Sequence, residues 1–383
     1  MPSLINEDLT RSGTHALVIG VSCYLHFADG SEPTANGSDF GMEQLSAAAR
    51  SASEFAAWLL GPYRRSGSEL KSLRVLLSPA VGEVIAPSVA ALLKDDYSAT
   101  VGNAKIAISE FRAACASHRD NVAIVYVAGH GIQLTKTGAI LLLSDFGSNA
   151  HLARLEGALD MAGIHAGFNH PSAPRTQFWF VDACRQKPAI ARRFESLEGA
   201  LKLDVPLGDT ESSPMFLAAT TGCQAYARPG GLTLFNEALM WALGGAAAAG
   251  PDEQTPSWHV PVTQLIRRLP ERVKALALAE GAEQSVDIAG KVHEAVFHEL
   301  SRPPTVDLHI DVRPEPARTL SRGTLLQNGT TLVVNDYSAW PLSKLVDAGL
   351  YLLNIKSSPP YQDRSGIIDV KPPAATKDFE VSP

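Results

Sequence analysis

The sequence contains no apolar run long enough to cross a bilayer and no cluster of lysine and arginine residues. Its longest largely apolar stretch, 238–249, is interrupted by two glycines and is far shorter than the roughly 18 to 20 residues that a membrane helix needs. The 383 residues carry a net charge of −7, whereas binding to phosphate backbones requires concentrated positive charge. We therefore expect neither a membrane nor a nucleic acid as a partner.

Recognisable metal, disulfide and nucleotide motifs are also absent. The four cysteines are scattered without a CxxC pair, at Cys23, Cys115, Cys184 and Cys223. This spacing predicts neither a zinc site nor a disulfide framework. His165 and His170 have no cysteine or carboxylate neighbours at ligand spacing, so no metal is predicted there. Since no GxGxxG, GKS or GKT motif occurs, no cofactor is expected.

The first twenty residues place acidic side chains where a secretory signal has a positive region and a continuous apolar segment. We expect a soluble cytoplasmic protein whose cysteines remain thiols, because the cytosol is reducing.

The first 250 residues alternate short apolar runs with longer helical patterns, which is typical of parallel βαβ units. Strands are predicted at 15–20, 73–77, 122–128, 140–143, 177–181 and 215–219. Most of these runs are apolar on both faces, as expected for strands covered by helices on each side. Apolar spacings of three and four residues predict helices over 45–60 and 106–114 and a helical region over 262–300.

The character of the sequence changes at 301–304, where two consecutive prolines disfavour both helix and sheet. We predict two domains. Residues 1–300 form an α/β domain with a mostly parallel sheet of about six strands, flanked by helices on both faces. Residues 301–383, with short alternating runs, form a small all-β, sandwich-like domain.

Two apolar strands end in residues that carry chemistry: His130 follows one strand, and Cys184 follows another 54 residues later. In parallel sheets, ligands bind beyond the carboxyl ends of the strands. A cysteine thiol has a pKa of about 8.5, so a neighbouring imidazole is needed to take its proton and form the nucleophilic thiolate. The N–H groups of Gly131 and Cys184 are candidate donors to an oxyanion. The alternative for a lone cysteine is a small core residue.

The segments ALVIG, VAGHG and FVDACR together resemble the caspase-like cysteine peptidases, which include caspases, metacaspases and bacterial relatives. The caspase signature is Q-A-C-[RQG]-G with a histidine about 50 residues upstream. Here Asp182 replaces the glutamine and Gln186 replaces the glycine, as in the metacaspase-like and bacterial arrangement. The resemblance covers about residues 13–300 and includes 215–243. It implies that Cys184 is the nucleophile and His130 the base that later protonates the leaving amine, with no third catalytic side chain assigned.

The resemblance also bears on specificity, because metacaspases accept Arg or Lys in an acidic pocket. Asp182 matches one of their acids, Ser51 stands at the position of a second, and Ala128 replaces the serine before the Gly-His pair. A pocket with one carboxylate predicts cleavage after a basic residue. The alternative for Asp182 is an acid that caps backbone N–H groups in a loop. Arg228 is expected to be solvated rather than to face the substrate, and no arginine matches the caspase pocket, although Arg50 lies close.

The segment 185–214 is long and polar, and it contains Arg192 and Arg193. Because such segments are often cut during activation in this family, we predict self-processing near these arginines, with an exposed helix start as the alternative. The expected partners are protein or peptide substrates and an activating protein or protease, by analogy with bacterial relatives that serve in defence. Two other functions stay open: a catalytically silent scaffold whose β domain binds a partner, and a hydrolase of a non-peptide amide.

Overall fold

The fold is that of a computed structural model, which describes residues 3–6, 9–34, 41–93, 96–133, 138–148, 155–185, 200–203, 212–220, 222–228, 230–253, 255–336 and 339–383. The density of contacts divides the chain into two compact units. One unit contains Met1–Met240 and Leu269–Phe297, and the other contains Trp241–Arg268 and His298–Pro383. The first unit therefore ends three residues before the predicted boundary at 300. The second unit also includes the earlier segment Trp241–Arg268. Within that unit Gly245 packs directly on Pro304, a pairing that no local sequence pattern indicates.

Helices and strands alternate in the first 300 residues. The elements up to the first small sheet are β1 (Ser3–Asn6), β2 (Thr14–Val21), α1 (Ala48–Leu60), β3 (Leu70–Ser78), α2 (Pro87–Ala90), α3 (Val101–Cys115), β4 (Val122–Gly129), β5 (Gly131–Ile132), β6 (Ile140–Leu142) and β7 (Ala158–Asp160). They are followed by α4 (Met161–Gly167), β8 (Thr176–Ala183), β9 (Ser213–Leu217), α5 (Leu234–Trp241), a π-helical segment (Ala242–Ala246), β10 (His259–Pro261), α6 (Val262–Ala279), β11 (Asp287–Lys291) and β12 (Val296–Glu299).

The first unit is built on a seven-stranded sheet with the order β1-β3-β2-β4-β8-β9-β11. The five central strands are parallel, and β1 and β11 add antiparallel edges. The prediction of an α/β protein with a mostly parallel sheet is confirmed. The run at 140–143 is not part of this sheet, because β6 pairs with β5 and β7 in a separate antiparallel sheet.

Side chains that alternate along β4 point to opposite faces of the sheet, as the pleat of a strand requires. The ring of Tyr126 stacks on Phe55 of α1, with 4.8 Å between the centroids. Its neighbours Val125 and Val127 belong to a buried cluster that also contains Phe111 of α3. The predicted helices over 45–60 and 106–114 correspond to α1 and α3.

The prediction of helical structure throughout 262–300 is wrong in its second half. The helix α6 ends at Ala279, and Gly281 then adopts a φ of 69°, which lies in the left-handed region that glycine tolerates. Residues 287–291 instead pair with β9 at the sheet edge. In this segment His298 is buried within a strand, whereas His293 is exposed. The strands here form because their residues pair with segments far away in the sequence. The local spacing of apolar residues does not indicate such pairing.

The second unit contains the predicted all-β structure. Its strands are β13 (Thr305–Arg313), β14 (Ser321–Gln327), β15 (Thr330–Asn335), β16 (Leu342–Asp347), β17 (Gly349–Ser357), β18 (Arg364–Val370) and β19 (Ala374–Glu380), with a 3₁₀ turn at Glu315–Leu320. They form sheets with the orders β16-β13-β19 and β15-β14-β17-β18. Leu308, Ile310, Tyr351 and Leu353, which come from both sheets, share one buried cluster.

Within the described part of the chain, no helix is both long enough and apolar enough to cross a membrane.

Candidate active site

The strands β4 and β8 are parallel neighbours, and their register places the two candidate catalytic residues side by side. Gly129 pairs with Ala183 at the carboxyl ends of the strands, so His130 and Cys184 are the next residues on each. Both line one cavity of about 190 Å³, and Asp182 lies in the wall of the same cavity. The structure therefore brings together the three residues that the sequence singled out for chemistry and specificity.

The imidazole of His130 is held by a backbone carbonyl. Its Nε2 lies 2.6 Å from the carbonyl oxygen of Glu43, which only accepts hydrogen bonds, so Nε2 carries the proton. In the neutral ring Nδ1 is then the basic nitrogen. Tyr24 and Phe27 pack against the ring at centroid distances of 5.0 and 5.9 Å. The carbonyl of Glu43 thus fills the orienting role that the sequence left unassigned.

The backbone of His130 is fixed as well, because its N–H donates to the hydroxyl oxygen of Tyr24 over 2.7 Å. Burial lowers the pKa of the imidazole, and the hydrogen bond to Glu43 opposes this effect. At neutral pH the ring is therefore uncharged, which is the state that a general base requires.

The Cys184 thiol contacts the loop that precedes α5. The N–H of Ala225 donates to Sγ over 3.2 Å, and Sγ lies 3.6 Å from the carbonyl oxygen of the same residue. Burial raises the pKa of the thiol, and the charge of Asp182 adds to the rise, whereas the N–H of Ala225 opposes it. Among the described residues, no hydrogen bond joins Cys184 to His130. The resting pair is therefore a neutral thiol beside a neutral imidazole.

Gly131 lies directly against the backbone of Cys184. A Cβ atom at this position would overlap the carbonyl oxygen of Cys184 and would come within 2.8 Å of the Cβ atom of Ala183. The close approach of the two chain segments requires glycine here.

Asp182 is a buried carboxyl group that accepts two hydrogen bonds on one oxygen, Oδ2. The hydroxyl of Tyr126 donates to Oδ2 over 2.7 Å, and the hydroxyl of Thr233 donates to the same oxygen. Oδ1 is buried and has no hydrogen-bond partner among the residues that the structure describes. Burial raises the pKa of this carboxyl to about 6, although the two hydroxyl groups oppose the rise. Its partners are side chains and not backbone N–H groups, so the alternative of a loop cap does not describe it.

A buried hydrogen-bond network supports Asp182. The side-chain amide of Asn236 donates to the Tyr126 hydroxyl over 3.2 Å and to the carbonyl oxygen of Ser51 over 3.1 Å. The N–H of Asn236 donates to the Thr233 hydroxyl oxygen over 3.1 Å. Both hydroxyl groups therefore accept one hydrogen bond and donate one to Asp182, which fixes their direction.

Two predicted substrate-binding positions lie away from the cavity wall. Ser51 is fully buried in α1, and its Oγ accepts a hydrogen bond from the N–H of Thr233 over 3.0 Å. Ala128 is fully buried in β4, paired with Gly20 and Asp182 on the neighbouring strands. Neither lines the cavity, because Ser51 faces the start of α5 and Ala128 lies within the sheet. Ser51 thus contacts the network behind Asp182.

The arginines of this region pair with protein groups. Arg228 forms ion pairs with Glu237 and Glu280, and Arg50 donates to the carbonyl oxygen of Gly230 over 2.5 Å. Arg192, Arg193 and Gln186 lie outside the described residues. In the described ranges, no group of three or more His, Cys, Asp or Glu side chains is arranged to hold a metal ion.

Sequence reasoning missed Glu43, Tyr24, Ala225, Tyr126 and Thr233. Glu43 and Ala225 act through backbone atoms, which leave no signature in residue type. Tyr126 does carry a signal: it is a tyrosine within the apolar run VAIVYVA, and a buried phenolic hydroxyl needs a hydrogen-bond partner.

No protein-family model matches the chain, and no curated protein matches it.

Proposed function

We propose that the protein is a caspase-like cysteine endopeptidase that cleaves protein or peptide substrates after a basic residue. One observation carries the proposal: His130, Cys184 and the buried carboxyl of Asp182 line one cavity at the carboxyl ends of adjacent parallel strands. A caspase-like fold, with helices on both faces of the sheet, is part of the proposal. The stacking of Tyr126 on Phe55 of α1, and the buried cluster that Val125 and Val127 share with Phe111 of α3, support it.

Nδ1 of His130 takes the Cys184 thiol proton as the sulfur attacks the carbonyl carbon of the peptide bond. A C–S bond forms, and the C–N bond breaks as the leaving amine takes the proton from His130. Water then attacks the thioester, gives one proton to His130, and releases the acid as the thiol reforms. Because burial disfavours the thiolate, the base must act during attack, and Sγ must turn from Ala225 toward the substrate.

The oxyanion of the tetrahedral intermediate is assigned to the N–H groups of Gly131 and Cys184. Backbone donors in fixed positions stabilise such charge without reorganisation. The close packing of Gly131 on the Cys184 backbone supports this assignment, because it holds the two peptide segments together.

Asp182 gives the cavity its preference for a cation. Its Oδ1 has no partner within the described ranges, and a buried carboxylate without a compensating charge is unfavourable. A basic substrate side chain would supply both the charge and the hydrogen bond. An acidic side chain would instead place two like charges together.

Peptides that differ only in Arg, Lys, Asp or Ala at the cleaved position test the proposal. Wild type should cleave the Arg or Lys peptides, and Cys184→Ala and His130→Ala should each reduce turnover to background with an unchanged circular dichroism spectrum. Cys223→Ala is a matched control, since it removes an exposed thiol and should retain activity. Cleavage after Asp would contradict the pocket assignment. Turnover of no peptide would favour the scaffold or the non-peptide amide hydrolase.

Self-processing near Arg192 and Arg193 belongs to the same proposal. Incubation of the pure wild-type chain and sequencing of new N-termini tests it, with Cys184→Ala as the control. An active chain that stays intact would remove this step from the proposal.

A further inference from the structure

The hydrogen bonds around Asp182 leave its two oxygens unequal. An ionised carboxylate offers about four acceptor sites, two on each oxygen. Oδ2 already accepts from Tyr126 and from Thr233, so both of its sites are used. Among the described residues, no group donates a hydrogen bond to Oδ1, which is buried. A substrate cation that reaches the Asp182 carboxyl therefore finds acceptor sites only on Oδ1.

The unequal acceptor capacity of the two oxygens distinguishes a lysine side chain from an arginine side chain. A guanidinium group binds a carboxylate best as a planar fork, with parallel hydrogen bonds to both oxygens. An ammonium group is a compact charge that needs only one oxygen at a time. We infer that the pocket selects lysine over arginine at the cleaved position. The inference rests on the proposed function and specifies its substrate.

The two hydroxyl groups that occupy Oδ2 cannot easily turn away. The Tyr126 oxygen accepts from the Asn236 amide, and the Thr233 oxygen accepts from the Asn236 N–H. Rotation of either hydroxyl would break its hydrogen bond to a buried carboxyl group, which is unfavourable. Arginine would have to displace one of them to form its fork.

The first experiment compares two peptides that differ only in Lys or Arg at the cleaved position. We expect kcat/KM to be at least about tenfold higher for the Lys peptide. Equal values, or a preference for Arg, would overturn the inference while leaving the endopeptidase function in place.

Three variants test the cause of the preference. Thr233→Val replaces the hydroxyl by a methyl group of similar size and opens one site on Oδ2, so the Lys/Arg ratio should fall several-fold. Thr233→Ser keeps the hydroxyl and should keep the ratio. Because Thr233→Val also removes a hydrogen bond to the N–H of Asn236 at the start of α5, Tyr126→Phe provides a second variant with the same expected fall. Unchanged ratios in both would overturn the inference.

A binding experiment separates this inference from the proposed function. The Cys184→Ala protein is titrated with n-butylammonium and with n-butylguanidinium, and binding is followed by NMR shifts, with Asp182→Asn in the same background as the control. Tighter binding of the ammonium, lost in the control, supports the inference even when no peptide is cleaved. Tighter binding of the guanidinium overturns it.

Discussion

The imidazole of His130 donates a hydrogen bond from Nε2 to the carbonyl oxygen of Glu43 over 2.6 Å. Histidines that act as general bases are commonly oriented by a carboxylate, whereas the His130 ring is held by a neutral backbone group. A carbonyl fixes the tautomer without adding a charge that would raise the pKa of the ring strongly. The ring therefore remains neutral and presents Nδ1 as its basic atom.

The tautomer of His130 can be observed by NMR. In Cys184→Ala protein with ¹⁵N-labelled histidine, the His130 ring should show a protonated Nε2 and an unprotonated Nδ1 at neutral pH. It should gain its second proton below the ordinary pKa of histidine, because burial lowers this pKa. A ring protonated on Nδ1 would contradict the assignment of the basic nitrogen.

Tyr24→Phe should reduce both stability and kcat. The change removes the oxygen that accepts the His130 N–H, and an unpaired buried donor costs roughly 1 to 3 kcal/mol. We expect kcat to fall about tenfold with little change in KM, because the substrate pocket is not touched. Tyr63→Phe is the control, since Tyr63 is equally buried and its hydroxyl contacts Thr14 over 2.8 Å, outside the cavity. Equal kcat values for the two variants would contradict the positioning role.

Gly131→Ala should inactivate the protein and destabilise it. The added Cβ would overlap the Cys184 carbonyl oxygen, and forced overpacking typically costs about 1 to 3 kcal/mol. Gly102→Ala is the matched control, because a Cβ there meets no atom closer than 4.0 Å, within helix α3. Urea unfolding and peptide turnover give the two readouts. A fully active Gly131→Ala protein would show that the packing at Cys184 is not required.

The stability of the protein should depend on pH through Asp182. Its pKa rises from an ordinary 3.8 to about 6 on folding, so the folded state binds this proton more tightly than the unfolded chain does. Ionisation therefore costs stability, with no penalty below pH 3.8 and the full penalty above pH 6. Since asparagine cannot ionise, the stability of Asp182→Asn relative to wild type should be about 1 kcal/mol greater at pH 8 than at pH 5. Urea unfolding of both proteins at pH 5 and pH 8 measures this difference. The same difference in the free energy of unfolding at both pH values would contradict ionisation of Asp182 as its cause.

The sequence by itself determined the class of fold and singled out the candidate catalytic residues. The apolar runs at 15–20, 122–128 and 177–181 indicated buried parallel strands, and the residues that end them pointed to one edge of the sheet. Five of the six predicted strands lie in the central sheet, and the structure places His130 beside Cys184.

Only the tertiary structure decided the supporting groups and the sheet edges. The Glu43 carbonyl and the Ala225 N–H belong to the backbone, which is chemically the same at nearly every residue. The assignment of 287–291 to a strand depended on β9, which lies about 70 residues earlier in the chain. The unequal oxygens of Asp182 depend on Tyr126 and Thr233, which meet only after folding. Local periodicity reports which residues are buried, whereas hydrogen-bond partners are set by long-range packing.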